Sequence, residues 1–459
     1  SSEVRPMRHF IDLAPDPDAL RELMNYRWAA GRLSNYQGIE RIPGGTVLKI
    51  SLSDGVVSEK RFCDPLDTLS EESSIDRQEA LAIAEEALTD SVKAHLASDV
   101  GYTVQLSGGV DSSLIAALAQ ASSDRPIKTF SIHLPGFAND ERPWRDKLLE
   151  RYEFEHHEFA VGGRDFSDAF DRALLHMEGP TPHLGCVLLM LLCDRIRGSD
   201  KVVLTGEGGD EFFGGYLRYG HWRRTQWQER AARLPFARSL PPRRPFAGVR
   251  RLAGLDAAAY GGVYHDIQEV RRLFPEMIPS PGAREALGER FPDLLQRTFA
   301  VDQTAYLESL LLRQDKMAMA ASVEARVPFV HLPLARRINR VPRRVLAPGA
   351  GQTKPVLKTV ADHYLPQEIV HRRKVGLLLP FGEWLRDQNG LGGILDSLNG
   401  DSSKISAYVS RRGLTEAVSA FRHGMAGAEQ IVMQLVNIEA WLHSIPASTG
   451  LGDSTAPAS

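Results

Sequence analysis

Cysteine is scarce in this chain. Cys63, Cys186 and Cys193 are the only three in 459 residues, and they show no metal-ligand spacing. Cys186 and Cys193 fall in an apolar helical run and read as core residues. So small and odd a set fits a reducing compartment, and a cytoplasmic location is expected. Long apolar runs are also missing. The longest, near Val187–Leu192, is far too short to span a bilayer, and no signal-peptide pattern opens the chain, so no membrane association is expected. Charge of one sign is lacking: 55 Lys and Arg stand against 58 Asp and Glu, a net charge of −3. That balance gives no global field for nucleic acid or an anionic membrane. There is no internal repeat. Hydrophobic residues make up 43%, enough for a substantial core.

What is present centres on Tyr102–Ser113, YTVQLSGGVDSS. A β-forming run, Tyr102–Leu106, enters a glycine-rich turn, and an amphipathic helix follows from about Leu114. Such a turn aims several backbone N–H groups at one spot, and the helix dipole favours an anion there. Gly108 and Gly109 let a phosphate approach the backbone, and Ser107, Ser112 and Ser113 offer hydroxyl donors. Asp111 would repel a phosphate, so its carboxylate makes sense with a Mg²⁺ between it and a nucleotide. The Lys-Ser/Thr of a Walker loop is missing. SGGVDS instead resembles the pyrophosphate loop of ATP pyrophosphatases.

A second β run, Val202–Thr205, enters a second glycine-rich turn within KVVLTGEGGDEFFGGY, which carries Glu207, Asp210 and Glu211. Three carboxylates this close repel one another unless a cation or proton neutralises them. In a parallel sheet the C-terminal ends of strands gather at one edge, where ligands bind. Asp111 and Asp210 are therefore expected near one Mg²⁺. Together, SGGVDSS and GEGGDEFFGGY resemble the synthetase domain of class B, glutamine-hydrolysing asparagine synthetases, related to β-lactam synthetases and lasso-peptide cyclases.

The alternation of elements supports a parallel sheet with helices on both faces. Strands are expected at Ile127–His133 and His156–Val161, and helices at Ile75–Leu96, Asp140–Arg151, Ser167–His176 and Leu184–Arg197. The expected class is α/β of the ATP-pyrophosphatase type, with a helical C-terminal part and a small β-rich N-terminal remnant. Residues 75–445 form the expected ATP-dependent domain, ending in a helix at Ile431–Leu442, and 446–459 a disordered tail. In residues 1–70, a helix at Leu20–Ala30 precedes GIERIPGG and a hairpin of Val47–Ser51 with Val56–Phe62. That pattern is similar to the last third of a glutaminase domain. The family's N-terminal nucleophilic Cys has no counterpart, since Ser1 comes first and no Cys precedes Cys63. The polypeptide is therefore expected not to hydrolyse glutamine.

Other segments also match family positions. Ile132 falls where the family packs an aliphatic side chain against adenine, or is a plain core residue. Asp140-Glu141 caps a helix or meets substrate, and His156-His157 reads as one buried and one exposed ring. The arginine-rich stretch Arg218–Arg251 is a solvated surface or an electropositive docking patch. LLRQDKMAMAASVEARVPF suggests a core helix followed by Glu324 and Arg326. Lys354–Pro366 and the run from His371 to Gly376 resemble a K-x-x-L … R-x-K-x-G segment. The resemblance gives Lys374 the role of stabilising charge on pyrophosphate and on the reacting centre; Arg372 and Arg373 beside it read as surface or auxiliary phosphate charges.

The resemblance implies two half-reactions with ATP and Mg²⁺ as cofactors. A carboxylate attacks the α-phosphorus of ATP, giving an acyl-adenylate and pyrophosphate; ammonia or an amine then takes the acyl group and AMP leaves. ATP is expected at Leu106, Ser107, Gly108, Gly109, Asp111, Ser112, Ser113, Ile132 and Gly206, and Mg²⁺ at Asp111 and Asp210. Glu207 is the candidate base and Lys374 the second catalytic residue. Expected partners are a small-molecule or peptide carboxylate and an amine acceptor, with a homodimer or a separate ammonia-supplying protein as options. β-Lactam synthetases carry Tyr where this chain has Glu207, and Lys316 falls at the position of their supporting Glu, which disfavours β-lactam closure. A lasso-type cyclase is the alternative enzyme. A non-catalytic nucleotide-binding subunit is the alternative of another class, disfavoured because Asp111, Glu207, Asp210 and Lys374 occur together.

Overall fold

The computed structural model describes residues 3–70, 73–181, 183–241, 249, 267–280, 282–373, 379–388 and 390–445. Its centre is a five-stranded parallel sheet: β3 (Tyr102–Gln105), β4 (Lys128–His133), β5 (Glu155–Ala160), β6 (Val202–Leu204) and β7 (Glu324–Arg326), in the order β5-β4-β3-β6-β7. Val104 pairs with Thr129 on one side and Leu204 on the other. The chain builds outward from β3 in one direction, then returns to add β6 and β7 in the other. The reversal lies between β3 and β6, the position where open α/β sheets bind ligands.

Helices cover both faces, as the alternation predicts. On one side α2 (Arg77–Leu96) and α3 (Val110–Ala121) share a core with Val104, Val202 and Leu204. On the other, α5 (Gly163–Met177) and α6 (Gly185–Ile196) pack with the helix Leu307–Ala320 and the C-terminal helix Ala428–Ser444. The latter buries Trp441 completely, edge-on to Tyr36 at 5.8 Å; truncating such a ring costs about 3–5 kcal/mol. Cys186 and Cys193 sit in α6, where burial pushes both thiols up to about 12. They are inert core residues.

Several boundaries differ from the sequence reading. The expected helix Leu20–Ala30 runs Pro17–Tyr26, as α1. Asp16 accepts hydrogen bonds from Asp18 and Ala19, Pro17 starts the helix, and Arg27 ends it in the left-handed region at φ 67°. The hairpin is β1 (Thr46–Ile50) with β2 (Val57–Arg61), antiparallel. α3 begins at Val110 rather than near Leu114, so Asp111 lies in its first turn. The segment Glu324–Arg326 is the fifth strand, a role its sequence did not suggest; Arg326 also donates to Glu324 at 2.8 Å. His156 donates to or accepts from Thr129 Oγ1 at 2.8 Å, while the exposed His157 stacks on Phe130. From the arginine-rich stretch, Arg218 pairs with the buried Asp302 and Trp222 is core; residues 242–248 and 250–266 lie outside the described residues. The expected tail, 446–459, lies outside them too. Among the described residues no helix is long and apolar enough to cross a membrane.

Candidate active site

The first glycine-rich loop is knitted by its own serines. The Gly109 N–H donates to Ser107 Oγ at 3.1 Å, the Ser107 N–H to Ser112 Oγ at 3.2 Å, and the two hydroxyls lie 2.9 Å apart. Gly108 has φ 95°, and a Cβ there would stand 2.9 Å from the Glu141 carbonyl. Only glycine suits that point. Because α3 starts at Val110, Ser113 falls on its inner face and is fully buried; it lines neither cleft described below.

The second loop, after β6, lies directly against the first. A Cβ on Gly206 would sit 2.7 Å from the Ser112 nitrogen, and one on Gly209 2.7 Å from Asp111 Oδ1. The bare backbone at these positions lets the Asp111 side chain cross from the first loop to the second. Asp210 follows in α7 (Gly209–Phe213).

A residue given no role in the sequence reading closes this arrangement. Lys354 Nζ lies 2.6 Å from Asp111 Oδ1 and 2.6 Å from Asp210 Oδ1. Its side chain is 2% exposed. Burial opposes its charge, yet Asp111 and Asp210 together hold the ammonium well above the usual lysine range. Lys354 caps the helix Pro355–Ala361 with φ 51°, a strained left-handed conformation for a side-chain-bearing residue. Two signals could have marked it. A cation at a helix N-terminus opposes the dipole, so a lysine immediately before that helix needs carboxylates elsewhere. The residue before proline is also poorly suited to helical conformations.

Asp111 and Asp210 thus bring carboxylate oxygens to one point. Among the described residues no group of three His, Cys, Asp or Glu could hold a metal unaided. Two carboxylates suit Mg²⁺, which commonly takes its other ligands from phosphates and water.

Two adjoining clefts open here. The larger, about 1120 Å³, is lined by Ser107, Gly109, Asp111, Glu207, Asp210 and Lys354, with Ser112 and Gly206 also on its wall. The smaller, about 640 Å³, is mostly apolar, lined by Leu106, Ile132, Leu134, Leu188 and Leu189, with Asp140, Glu141 and Arg145 on its polar side. Ser107, Gln105 and Glu141 border both. Ile132 and Leu106 are therefore placed together, one cleft away from the aspartates.

Glu207 is ion-paired with Arg313, whose side chain is buried. Arg313 lies in the helix Leu307–Ala320, which carries it beneath the second loop. Glu211 is fully buried; burial, Asp210 and Glu207 push its carboxyl up to about 8, against the hydroxyl donated by Tyr216. Lys316 pairs with Glu178 at 2.8 Å. Asp140 accepts from the Leu134 and Arg142 nitrogens, and Glu141 pairs with Arg372. Asp140 thus serves the turn before α4 (Arg142–Arg151), while Glu141 makes no side-chain cap. Lys374 lies outside the described residues.

A parallel α/β sheet with two glycine-rich loops at its switch point defines the class. The asparagine synthase family model matches residues 84–443, and the chain belongs to that family. Asparagine synthetase [glutamine-hydrolyzing] 3 of Bacillus subtilis is 26% identical over 382 residues, covering 77% of this chain and 58% of the relative. Asparagine synthetase [glutamine-hydrolyzing] 1 of the same organism is 23% identical over 401 residues, covering 82% and 61%. Asparagine synthetase B [glutamine-hydrolyzing] of Escherichia coli is 30% identical over 308 residues, covering 63% and 43%. The chain therefore spans about three fifths of the length of the first two curated relatives.

Proposed function

We propose that this chain is an AMP-forming ligase that makes a C–N bond: it activates a substrate carboxylate with ATP and passes the acyl group to ammonia or an amine. The observation that carries the reading is the meeting of Asp111 and Asp210 around one cationic point, at the C-terminal ends of neighbouring parallel strands. In this reading the apolar cleft beside Ile132 receives adenine, and the larger cleft receives the phosphates at the N-terminus of α3. Asp111 and Asp210 would hold Mg²⁺, which offsets phosphate charge as the carboxylate approaches. Lys354 is then released from the aspartates to the phosphates. Lys374 would act beside it, as the family resemblance implies.

The attacking amine must lose a proton, and Glu207 takes it. Arg313 holds that carboxylate in place from beneath. Free ammonia, an organic amine or ammonia from a partner protein is the proposed donor, in the cytoplasm.

The test is product analysis. Incubated with Mg²⁺–ATP, a panel of carboxylic acids and ammonium or amines, the chain should yield AMP, pyrophosphate and an amide. ADP and phosphate as the products would contradict the reading.

A further inference from the structure

The larger cleft is crowded with acid. Asp111, Glu141, Glu207, Asp210 and Glu211 line it, against Lys354, Lys358 and Arg372. Lys354 Nζ donates to Asp111 and lies 2.6 Å from Asp210 Oδ1, so in this structure its ammonium is committed to the two aspartates. Until that ammonium is freed, an entering polyphosphate needs another cation with donors to spare.

Arg372 has them. Its Nη2 donates to Glu141 Oε1, while Nη1 is buried and finds no hydrogen-bond partner among the described residues. The side chain is only 9% exposed, so this donor is not simply hydrated at the surface. The guanidinium lies over the Trp144 ring, 4.6 Å from its centroid, which fixes its plane. Its Nη2 stands 3.7 Å from the place a Cβ on Gly109 would occupy, directly beside the N-terminus of α3. A buried, oriented guanidinium fork with one idle arm thus lies beside a helix N-terminus, in a cleft lined by glycine-rich backbone. A planar fork matches phosphate oxygens, and an unpaired buried donor is costly unless a ligand completes it.

We propose that Arg372 is a pyrophosphate-binding residue: it grips the terminal phosphates of ATP and the released pyrophosphate, opposite the N–H groups of α3, with Glu141 as its anchor. This rests on the reading of the cleft as an ATP site and adds to it the side chain that holds the leaving group. Glu141 stays neutralised by the guanidinium and so does not repel the incoming anion. Its position between the two clefts places the grip at the boundary between nucleoside and phosphates.

The test compares binding of Mg²⁺–ATP, Mg²⁺–pyrophosphate and AMP by calorimetry to the full chain and to Arg372→Gln, Arg372→Lys and Glu141→Gln. A lost charge-assisted hydrogen bond corresponds to roughly 10–100-fold in affinity. Arg372→Gln should lose about that much for ATP and pyrophosphate and keep its affinity for AMP. Arg372→Lys, which keeps the charge without the fork, should fall between, and it answers the question if the Gln variant does not fold. Glu141→Gln, which loosens the anchor but keeps the guanidinium, should weaken pyrophosphate binding less than Arg372→Gln does. Unchanged pyrophosphate affinity in both Arg372 variants, or an equal loss for AMP, would overturn the assignment, as would a loss in Glu141→Gln matching that of Arg372→Gln. If the unmodified chain binds neither ATP nor pyrophosphate, the ATP reading itself fails, and that outcome is distinct from a failure of Arg372 alone.

Discussion

Lys354 Nζ lies 2.6 Å from Asp111 Oδ1, although the two residues are 243 positions apart. The same ammonium reaches Asp210, so one buried cation ties together the two loops that follow neighbouring strands. Removing it leaves two carboxylates facing each other, with 22% and 21% of their side chains exposed to the cleft. Breaking a buried pair from one side costs about 3–5 kcal/mol. Lys354→Met should lower stability by that order in metal-free buffer, measured by urea unfolding, and Mg²⁺ should restore part of the loss. A variant as stable as the parent, with no response to Mg²⁺, would remove Lys354 from this role.

The two loops touch through bare backbone. Gly209→Ala places a methyl carbon where Asp111 Oδ1 now stands 2.7 Å away, and Gly206→Ala places one 2.7 Å from a backbone nitrogen. A backbone cannot yield as a flexible side chain can. Gly206→Ala should therefore be the worse of the two in thermal stability, and both should lose ATP-dependent activity. Wild-type activity in Gly206→Ala would show that the loops do not meet in this way.

Glu207 and Arg313 should act as a unit. If Glu207 is the base, Glu207→Gln keeps pyrophosphate exchange into ATP but loses amide formation by on the order of 10²-fold. Arg313→Met, which frees the carboxylate, should show the same split more weakly, and Arg313→Lys should recover part of it. Equal losses in exchange and amide yield would leave Glu207 an organiser of the loop.

His156 supplies a pH test away from the clefts. Burial, with Arg145 nearby, pushes its imidazole down to about 4 from the ordinary 6.5. Between those values the unfolded chain binds a proton that the folded chain does not. Stability is therefore fully present above pH 6.5 and is lost as pH falls from 6.5 towards 4. His156→Gln should show a shallower loss over that window in unfolding experiments from pH 7 to 4. An identical pH profile would mean the ring is more accessible than its packing indicates.

The strands β3, β4, β5 and β6 were readable because β-forming runs lead into glycine turns or alternate with helical periods. β7 was not. It is three residues long at a sheet edge, and Glu324 and Arg326 give no apolar signal. The aspartates were readable because each sits in its own strand–loop–helix unit. Lys354, Arg313 and the Glu141–Arg372 pair were not, since each acquires its role from a partner far away in sequence. A local pattern cannot express such a pairing. The left-handed backbone of Lys354 is likewise met by distant partners: its N–H donates to the Gly214 carbonyl and its ammonium reaches both aspartates.

Asp111 and Asp210 are proposed to hold Mg²⁺–ATP jointly for attack by a carboxylate. The most direct measurement is isotope exchange of labelled pyrophosphate into ATP, run with a panel of carboxylic acids on the unmodified chain, Asp111→Asn and Asp210→Asn. Exchange should depend on an added acid and on Mg²⁺, and it should vanish in either variant while circular dichroism stays native. Full exchange in Asp111→Asn or Asp210→Asn with Mg²⁺ present would show that the two aspartates do not hold Mg²⁺–ATP.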